Sequence, residues 1–277
     1  MKRGIALGGG GARGAYQAGA IKALREKNML EPFDCVSGVS VGSLNASLLS
    51  MRDYDALDAL WLSNQGSKLF DKPEHMIKTL LSENVKLYDK GLYQTKRLEA
   101  LIDEVIDYSL IRSSEIYVGI AHVGDEHTGL FDLIRMNIEY RLNMGKAMEY
   151  VALGDYDDAT IKQTLLASCA IPIVFKPITI EGKTYFDGGI LEKLPVQPLV
   201  DAGCDEIIAI DLFRFSFNHK HAQNGTRIRH IYPSKNLKGV MDFDEDLNKM
   251  RYDLGYNDTL KAIESWNTAN ELPTGDE

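Results

Sequence analysis

Short apolar runs alternate with longer helical patterns along most of this chain. Gly4-Ile5-Ala6-Leu7 is an apolar run of strand length, and Ala15 to Leu24 has the periodicity of a helix. Asp34-Cys35-Val36 reads as the end of a short strand, and Leu44 to Leu49 as the first turns of a buried helix. Glu115–Ile120 and Leu130–Arg135 flank Gly124–Gly129, which predicts a hairpin. Asp157 to Ala167 predicts a helix capped by Asp157 or Asp158. Ile171 to Ile180 is strand-like and runs into a Glu181-Gly182-Lys183 turn, and Ile207–Ile210 predicts a buried strand. The carboxylates of Asp242–Asp246 suit the N-terminus of a helix containing Leu247, Met250 and Leu254, a better reading than a calcium site. Strands alternating with helices predict an α/β fold. There is no internal repeat, and only the end of the chain looks frayed. The expectation is one domain over 1–269 and a short flexible tail over 270–277.

Composition narrows the class. With 277 residues, 44% of them hydrophobic, the chain can build one substantial core. No apolar run approaches the ~20 residues that span a bilayer. Met1-Lys2-Arg3 is followed by too few apolar residues for a signal peptide. Cys35, Cys169 and Cys204 are an odd, widely spaced set, which predicts free thiols in a reducing compartment and a cytoplasmic protein. A net charge of −9 with no basic stripe argues against nucleic acid, and weakly against strong attraction to anionic membranes. Peripheral membrane contact would fall between Ser67 and Lys96, where apolar pairs alternate with Lys68, Lys72, Lys78 and Lys86. The commoner meaning of such a pattern is a helix packed on its own core, and a third is a cap over the active-site cleft. His122 and His127 flank a turn but have no nearby cysteine or third ligand, so a metal site there is not expected. No cofactor is expected either.

Three glycine-bearing motifs carry the chemistry. Gly38-Val39-Ser40-Val41-Gly42 fits G-x-S-x-G, the nucleophile elbow, and has the strand–turn–helix context that the elbow needs. Gly8-Gly9-Gly10-Gly11-Ala12-Arg13-Gly14 precedes a helix and exposes several backbone N–H groups, a setting suited to negative charge. The same stretch fits the dinucleotide fingerprint G-x-G-x-x-G, with Asp34 lying 20 residues beyond Gly14. An oxyanion hole is the preferred reading. Asp34 leads straight into the serine elbow, Arg13 adds a cation, and the loop comes one strand before the nucleophile. The third motif is Asp187-Gly188-Gly189. By itself it is an ordinary Asp-Gly turn, but with Ser40 upstream it supplies the best candidate for a base. His219, His221 and His230 all follow Asp187, so a Ser–Asp–His order is available; surface or structural roles are the default for all three.

Together these motifs resemble the patatin-like phospholipase family. Gly91-Leu92-Tyr93, Ala167-Ser168-Cys169-Ala170-Ile171-Pro172 and Leu254-Gly255-Tyr256-Asn257-Asp258-Thr259 agree, and the similarity runs from Lys2 to about Thr259. One departure is Glu192, where the family commonly has asparagine. The resemblance implies a three-layer fold, a central mostly parallel sheet flanked by helices and related to the α/β-hydrolase architecture. It further implies a metal-independent Ser–Asp dyad. Ser40 would be the nucleophile in an elbow made by Gly38 and Gly42, and Asp187 the base in a loop with Gly188 and Gly189. The amides around Gly9, Gly10 and Gly11 would hold the oxyanion, with Arg13 in the same loop. The implied substrate is a phospholipid, lysophospholipid or other fatty-acyl ester. A thioesterase or small-ester esterase would use the same motifs. From other classes, the rivals are a dinucleotide-binding protein and a non-catalytic regulatory module. Head-group preference and oligomeric state are left unspecified.

Overall fold

The structure, a computed structural model, describes residues 1–63, 87–123, 148–172, 174–214 and 225–271. Among these residues eight strands form one sheet: β1 (Arg3–Leu7), β2 (Cys35–Val39), β3 (Glu115–Val123), β4 (Met148–Ala152), β5 (Ile178–Ile180), β6 (Lys183–Asp187), β7 (Glu206–Ile210) and β8 (Arg227–Ile231). The order is β5-β6-β3-β2-β1-β7-β8, with β4 also on β3. From β3 to β8 the strands are parallel, whereas β4, β5 and β6 join by antiparallel pairing. Eight α-helices are described: α1 (Ala15–Glu26), α2 (Val41–Ser50), α3 (Tyr54–Leu62), α4 (Leu87–Val105), α5 (Tyr108–Arg112), α6 (Asp158–Ser168), α7 (Gln197–Asp201) and α8 (Glu245–Glu271). Among the described residues no helix is long and apolar enough to cross a membrane.

The central strands are covered on both faces, which is why they read as apolar runs with no polar alternation. Ile5, Leu7, Val36, Ile208 and Ile210 point into the larger core, with Tyr16 and Leu24 of α1, Leu48 of α2, Leu165 of α6 and Tyr252 of α8. Ala6, Cys35, Ile207 and Ala209 point the other way, onto Leu194, Val196 and the α7 residue Leu199. Helix–sheet–helix layering follows. On the larger side α1 and α8 touch backbone to backbone. A side chain on Gly19 would collide with the Tyr252 carbonyl, and one on Gly255 with the Tyr16 carbonyl. Glycine at both contact points permits this close crossing.

Several expectations need correcting. The described residues between 171 and 177 form no strand. Ile171 folds back to accept the Val174 and Phe175 N–H groups at 3.2 and 2.9 Å, and β5 begins only at Ile178. Pro172 and Pro177 cannot donate to a ladder, so the apolar run is put to use as a turn. Asp34-Cys35-Val36 is the beginning of its strand, not the end; β2 continues to Val39. The helix α8 runs through Asn270 and Glu271, so the first residues assigned to the tail are helical. The hairpin turn at 124–129, His127 and most of the 67–96 segment lie outside the described residues.

Arg251 is fully buried, a feature that sequence pattern did not reveal. Its guanidinium donates to the carbonyls of Leu237, Gly239, Asp242 and Ala12 at 2.8, 2.9, 2.6 and 3.3 Å, and to Asn248 Oδ1 at 3.0 Å. One side chain thereby joins α8, the 237–242 loop and the end of the glycine loop. Arg251→Met keeps the volume but strands these carbonyls without donors. The expected loss is about 3 kcal/mol or more, read as a lowered midpoint in urea unfolding, with Arg251→Lys intermediate.

Candidate active site

Ser40 and Asp187 meet because two strands share one edge of β3. Tyr117 pairs with both Ser37 of β2 and Ala152 of β4, and Ile120 with both Glu149 of β4 and Asp187 of β6. β4 therefore holds one edge of β3, while β2 and β6 divide the other. β2 runs parallel to β3 and ends with Val39 beside Gly119; β6 runs antiparallel and ends with Asp187 beside Ile120. The two strands come to a stop head to head, each delivering its next functional side chain to the same point. Ser40 Oγ donates to Asp187 Oδ2 at 2.6 Å. Both residues are buried, at 5% and 4% exposure.

The chain turns sharply at Ser40. Ser40 has φ 55° and ψ −135°, a conformation that a non-glycine residue holds only when its surroundings enforce it. Gly38 and Gly42 are there for close approach: a Cβ on Gly38 would strike the Gly42 carbonyl, and one on Gly42 the Leu7 carbonyl. The Ser43 N–H and Oγ bind the Ser40 carbonyl at 2.8 and 2.7 Å, anchoring the turn at the head of α2. Ser168 accepts from the Ser40 N–H at 2.9 Å and donates to the Gly119 carbonyl at 2.8 Å. It ties the elbow to β3, a role that its Ser-Cys-Ala-Ile-Pro setting did not disclose.

Asp187 is held as firmly. Its N–H donates to the Ala170 carbonyl at 3.0 Å, and its Oδ1 accepts the Gly189 N–H at 2.7 Å. A side chain on Gly188 would lie 2.6 Å from the Gly119 carbonyl, so that glycine is required by space. Burial pushes the Asp187 carboxyl up from 3.8 to about 7, although the donors Ser40 and Gly189 pull it down.

The glycine loop lies against the serine: a Cβ on Gly9 would stand only 2.9 Å from Ser40 Cβ. Its donors differ from expectation in two ways. The Gly9 N–H is already committed to the Lys193 carbonyl at 2.8 Å, as that of Gly8 is to Ile210 at 3.1 Å. The N–H groups of Gly10 and Gly11 have no such acceptor among the described residues, and Gly11 takes φ 55°. Arg13 does not face Ser40. Its guanidinium donates to the Lys238 carbonyl at 2.6 and 2.9 Å and lies 4.8 Å over the Phe213 ring, because that carbonyl and ring satisfy a cation that the apolar cleft does not.

A buried amide network supports the loop from behind. Trp61 Nε1 donates to Asn45 Oδ1 at 2.9 Å, Asn45 Nδ2 to Gln17 Oε1 at 2.8 Å, and Gln17 Nε2 to the Gly8 carbonyl at 2.8 Å. Sequence reasoning passed over Gln17 and Asn45. The available signal was a lone amide inside each of two otherwise apolar helix patterns. Trp61 also lines a cleft with Ser40, Leu44, Leu98, Cys169 and Phe243. Ser40 thus sits on the wall of an apolar hollow, the usual form of a small-molecule site.

The rival arrangements fare poorly. Asp34 stands at the N-terminal end of β2, where its Oδ2 accepts the Arg3 N–H at 2.7 Å. A dinucleotide's ribose needs that carboxylate at the opposite end, beside the glycine loop. His230 is on β8, with Nε2 3.7 Å from Asp211, and His219 and His221 lie outside the described residues.

A family model described as patatin-like phospholipase matches residues 5–200. Lysophospholipase NTE1 of Kluyveromyces lactis is 25% identical over 214 residues, which are 76% of this chain and 12% of that protein. An uncharacterized NTE family protein of Mycobacterium bovis is 28% identical over 209 residues, 75% of this chain and 48% of that protein. The chain therefore spans less than half the length of these curated relatives. Among solved structures, VipD from Legionella pneumophila shares the fold, with a TM-score of 0.53 at 17% identity, over 95% of this chain and 67% of that one.

The buried carboxyl has a thermodynamic signature. The unfolded chain releases the Asp187 proton near 3.8 and the folded chain at about 7. Between those values the unfolded state binds fewer protons, so stability falls as pH rises and levels off above the folded value. At 1.36 kcal/mol per pH unit the deficit reaches up to about 4 kcal/mol. Asp187→Asn removes it. In thermal melts the variant is expected to exceed wild type clearly at about pH 8, with a gap that shrinks by about pH 5.

Proposed function

The chain belongs to the patatin-like phospholipase family, and from that membership we propose that it is a lipid acyl-ester hydrolase with Ser40 as nucleophile and Asp187 as general base. The observation that carries the reading is the 2.6 Å Ser40–Asp187 hydrogen bond on the wall of an apolar cleft. An ordinary carboxylate is too weak a base to activate serine at neutral pH. A carboxyl raised to about 7 by burial is matched to the task, since catalytic bases work best near the operating pH.

The acyl chain occupies the hollow lined by Leu44, Trp61, Leu98 and Phe243, with the ester carbonyl at Ser40. Ser40 Oγ attacks that carbonyl while its proton passes to Asp187 Oδ2. The developing oxyanion takes the free N–H groups of Gly10 and Gly11, and the Gln17 network keeps their loop from yielding. Fixed donors of this kind are worth about 3 kcal/mol each in barrier height. Asp187 returns the proton to the departing alcohol, then takes one from the water that cleaves the acyl-enzyme. The relative named lysophospholipase NTE1 favours a monoacyl phospholipid, and the apolar lining of the cleft suits an acyl chain. A long-chain thioester would follow the same steps.

Fluorophosphonate labelling of intact protein tests the nucleophile: the probe attaches at Ser40 and is lost in Ser40→Ala. Hydrolysis of a lysophospholipid in Asp187→Asn is expected to fall by about 10³-fold or more. In wild type, kcat/KM rises with pH to a plateau, with its midpoint at about 7. Folded wild type that neither labels nor cleaves lysophospholipid or acyl thioester would refute the reading.

A further inference from the structure

At the opposite end of the central strands from Ser40, two of the three cysteines come together. Cys35 opens β2, and Cys204 stands two residues before β7 begins. β1 runs between these strands, and its Gly4 pairs with Cys35 on one side and Ile207 on the other. A Cβ on Gly4 would lie 3.0 Å from Cys204 Sγ, so the missing side chain opens the space through which the sulfurs reach across β1. They lie 3.1 Å apart, inside the van der Waals contact of two sulfurs. Both residues are buried, at 1% and 2% exposure. The third, Cys169, is in the active site and bonds Ser40 and Ser43 instead.

The surroundings add reactivity. Lys2 Nζ, which donates to Glu115 Oε1 at 2.9 Å and to the Ala202 carbonyl at 3.0 Å, interacts electrostatically with both sulfurs. The hydrogen bond between the two sulfurs lowers the Cys204 thiol below its ordinary value and raises that of Cys35; for Cys204 burial opposes the shift and the Lys2 charge assists it. A thiol so stabilised as thiolate is the more reactive partner of a pair.

We propose that Cys35 and Cys204 form a redox-active dithiol that hydrogen peroxide oxidises to an intramolecular disulfide joining β2 to the segment before β7. The Cys204 thiolate attacks one peroxide oxygen, the O–O bond breaks, and the hydroxide released takes up the thiol's proton to become water. Cys204 is left as a sulfenic acid. The Cys35 sulfur then attacks the Cys204 sulfur, the S–O bond breaks, and the hydroxide leaves with the Cys35 proton as a second water. Two thiols lose two electrons and two protons, and the peroxide gains both. Closing from the present separation to a bond of about 2.05 Å requires a shift of only about 1 Å. The depth of the pair selects a small neutral oxidant. The bridge closes a long loop and restrains the strand that leads to Ser40, so it adds stability by limiting the unfolded chain.

The test begins with fully reduced wild type exposed to hydrogen peroxide under native conditions. The expected product has lost two hydrogens in intact mass, titrates one thiol in place of three, and yields a Cys35–Cys204 linked peptide on proteolysis without reductant. Its melting temperature exceeds that of the reduced protein, and the difference is absent in Cys204→Ser. In Cys35→Ser the sulfenic acid has no partner, so dimedone added together with denaturant after the peroxide is expected to tag Cys204. Three remaining thiols, added oxygen without a linked peptide, or a bridge to Cys169 would each overturn the proposal.

Discussion

The candidate site depends on one edge of β3 serving two strands. Main-chain hydrogen bonds fix where a strand stops to within a residue, and side chains alternate between faces, so register is unforgiving. β2 stops at Val39 and β6 at Asp187 because both have reached the same place on β3 from opposite directions. A serine hydroxyl and a carboxylate 147 positions apart in sequence are thus brought to 2.6 Å without any flexible loop to tune. The neighbouring contacts defend this meeting point. Ser168 bridges the Ser40 amide to Gly119, and Gly188 lies so close to the Gly119 carbonyl that no side chain fits. Gly119 itself is hemmed in by Tyr150 and Val39.

The same geometry sets up a conflict between stability and chemistry. Enclosing a carboxylate among apolar groups destabilises the folded chain at neutral pH, and a carboxylate in water would be too weak a base. With Asp187 in its proposed role, the fold accepts the first to avoid the second, and two donors, Ser40 and Gly189, limit the loss. Compensation comes from elsewhere in the molecule. The extensive apolar core, the close α1–α8 crossing at Gly19 and Gly255, and the fully bonded Arg251 all lie outside the site. Arg251 also reaches the Ala12 carbonyl, so the C-terminal helix supports the glycine loop directly.

The glycine loop shows how a local motif acquires its meaning from distant partners. Four consecutive glycines offer amides freely, but the surrounding structure chooses which remain available. Lys193 claims that of Gly9 and Ile210 that of Gly8. Val240 takes the amide of Ala12, and Lys238 takes the Arg13 side chain. The remainder are Gly10 and Gly11, of which Gly11 lines the cleft, in a loop held at Gly8 by an amide chain that begins at Trp61 on the cleft wall.

Taken alone, the sequence determined the features that arise from short-range sterics. The serine elbow, the glycine loop before α1, the Asp157 cap and the apolar central strands are written in contiguous residues, because glycine spacing, capping and burial on both faces act over a few positions. It also marked Asp187, though only by association, since Asp-Gly-Gly in isolation means a turn. Tertiary structure decided the rest. That β6 shares an edge with β2, that Arg13 turns away from Ser40, that Gln17 and Asn45 join across two helices, and that Cys35 meets Cys204 over Gly4 are all pairings of residues far apart in the chain. The stretch from Ile171 to Pro177 misled for the same reason in reverse: its apolar pattern suits a strand, but two prolines and the need to deliver Ala170 beneath Asp187 impose a turn. Local chemistry proposes which groups stand ready, and only the register of the sheet determines which of them touch.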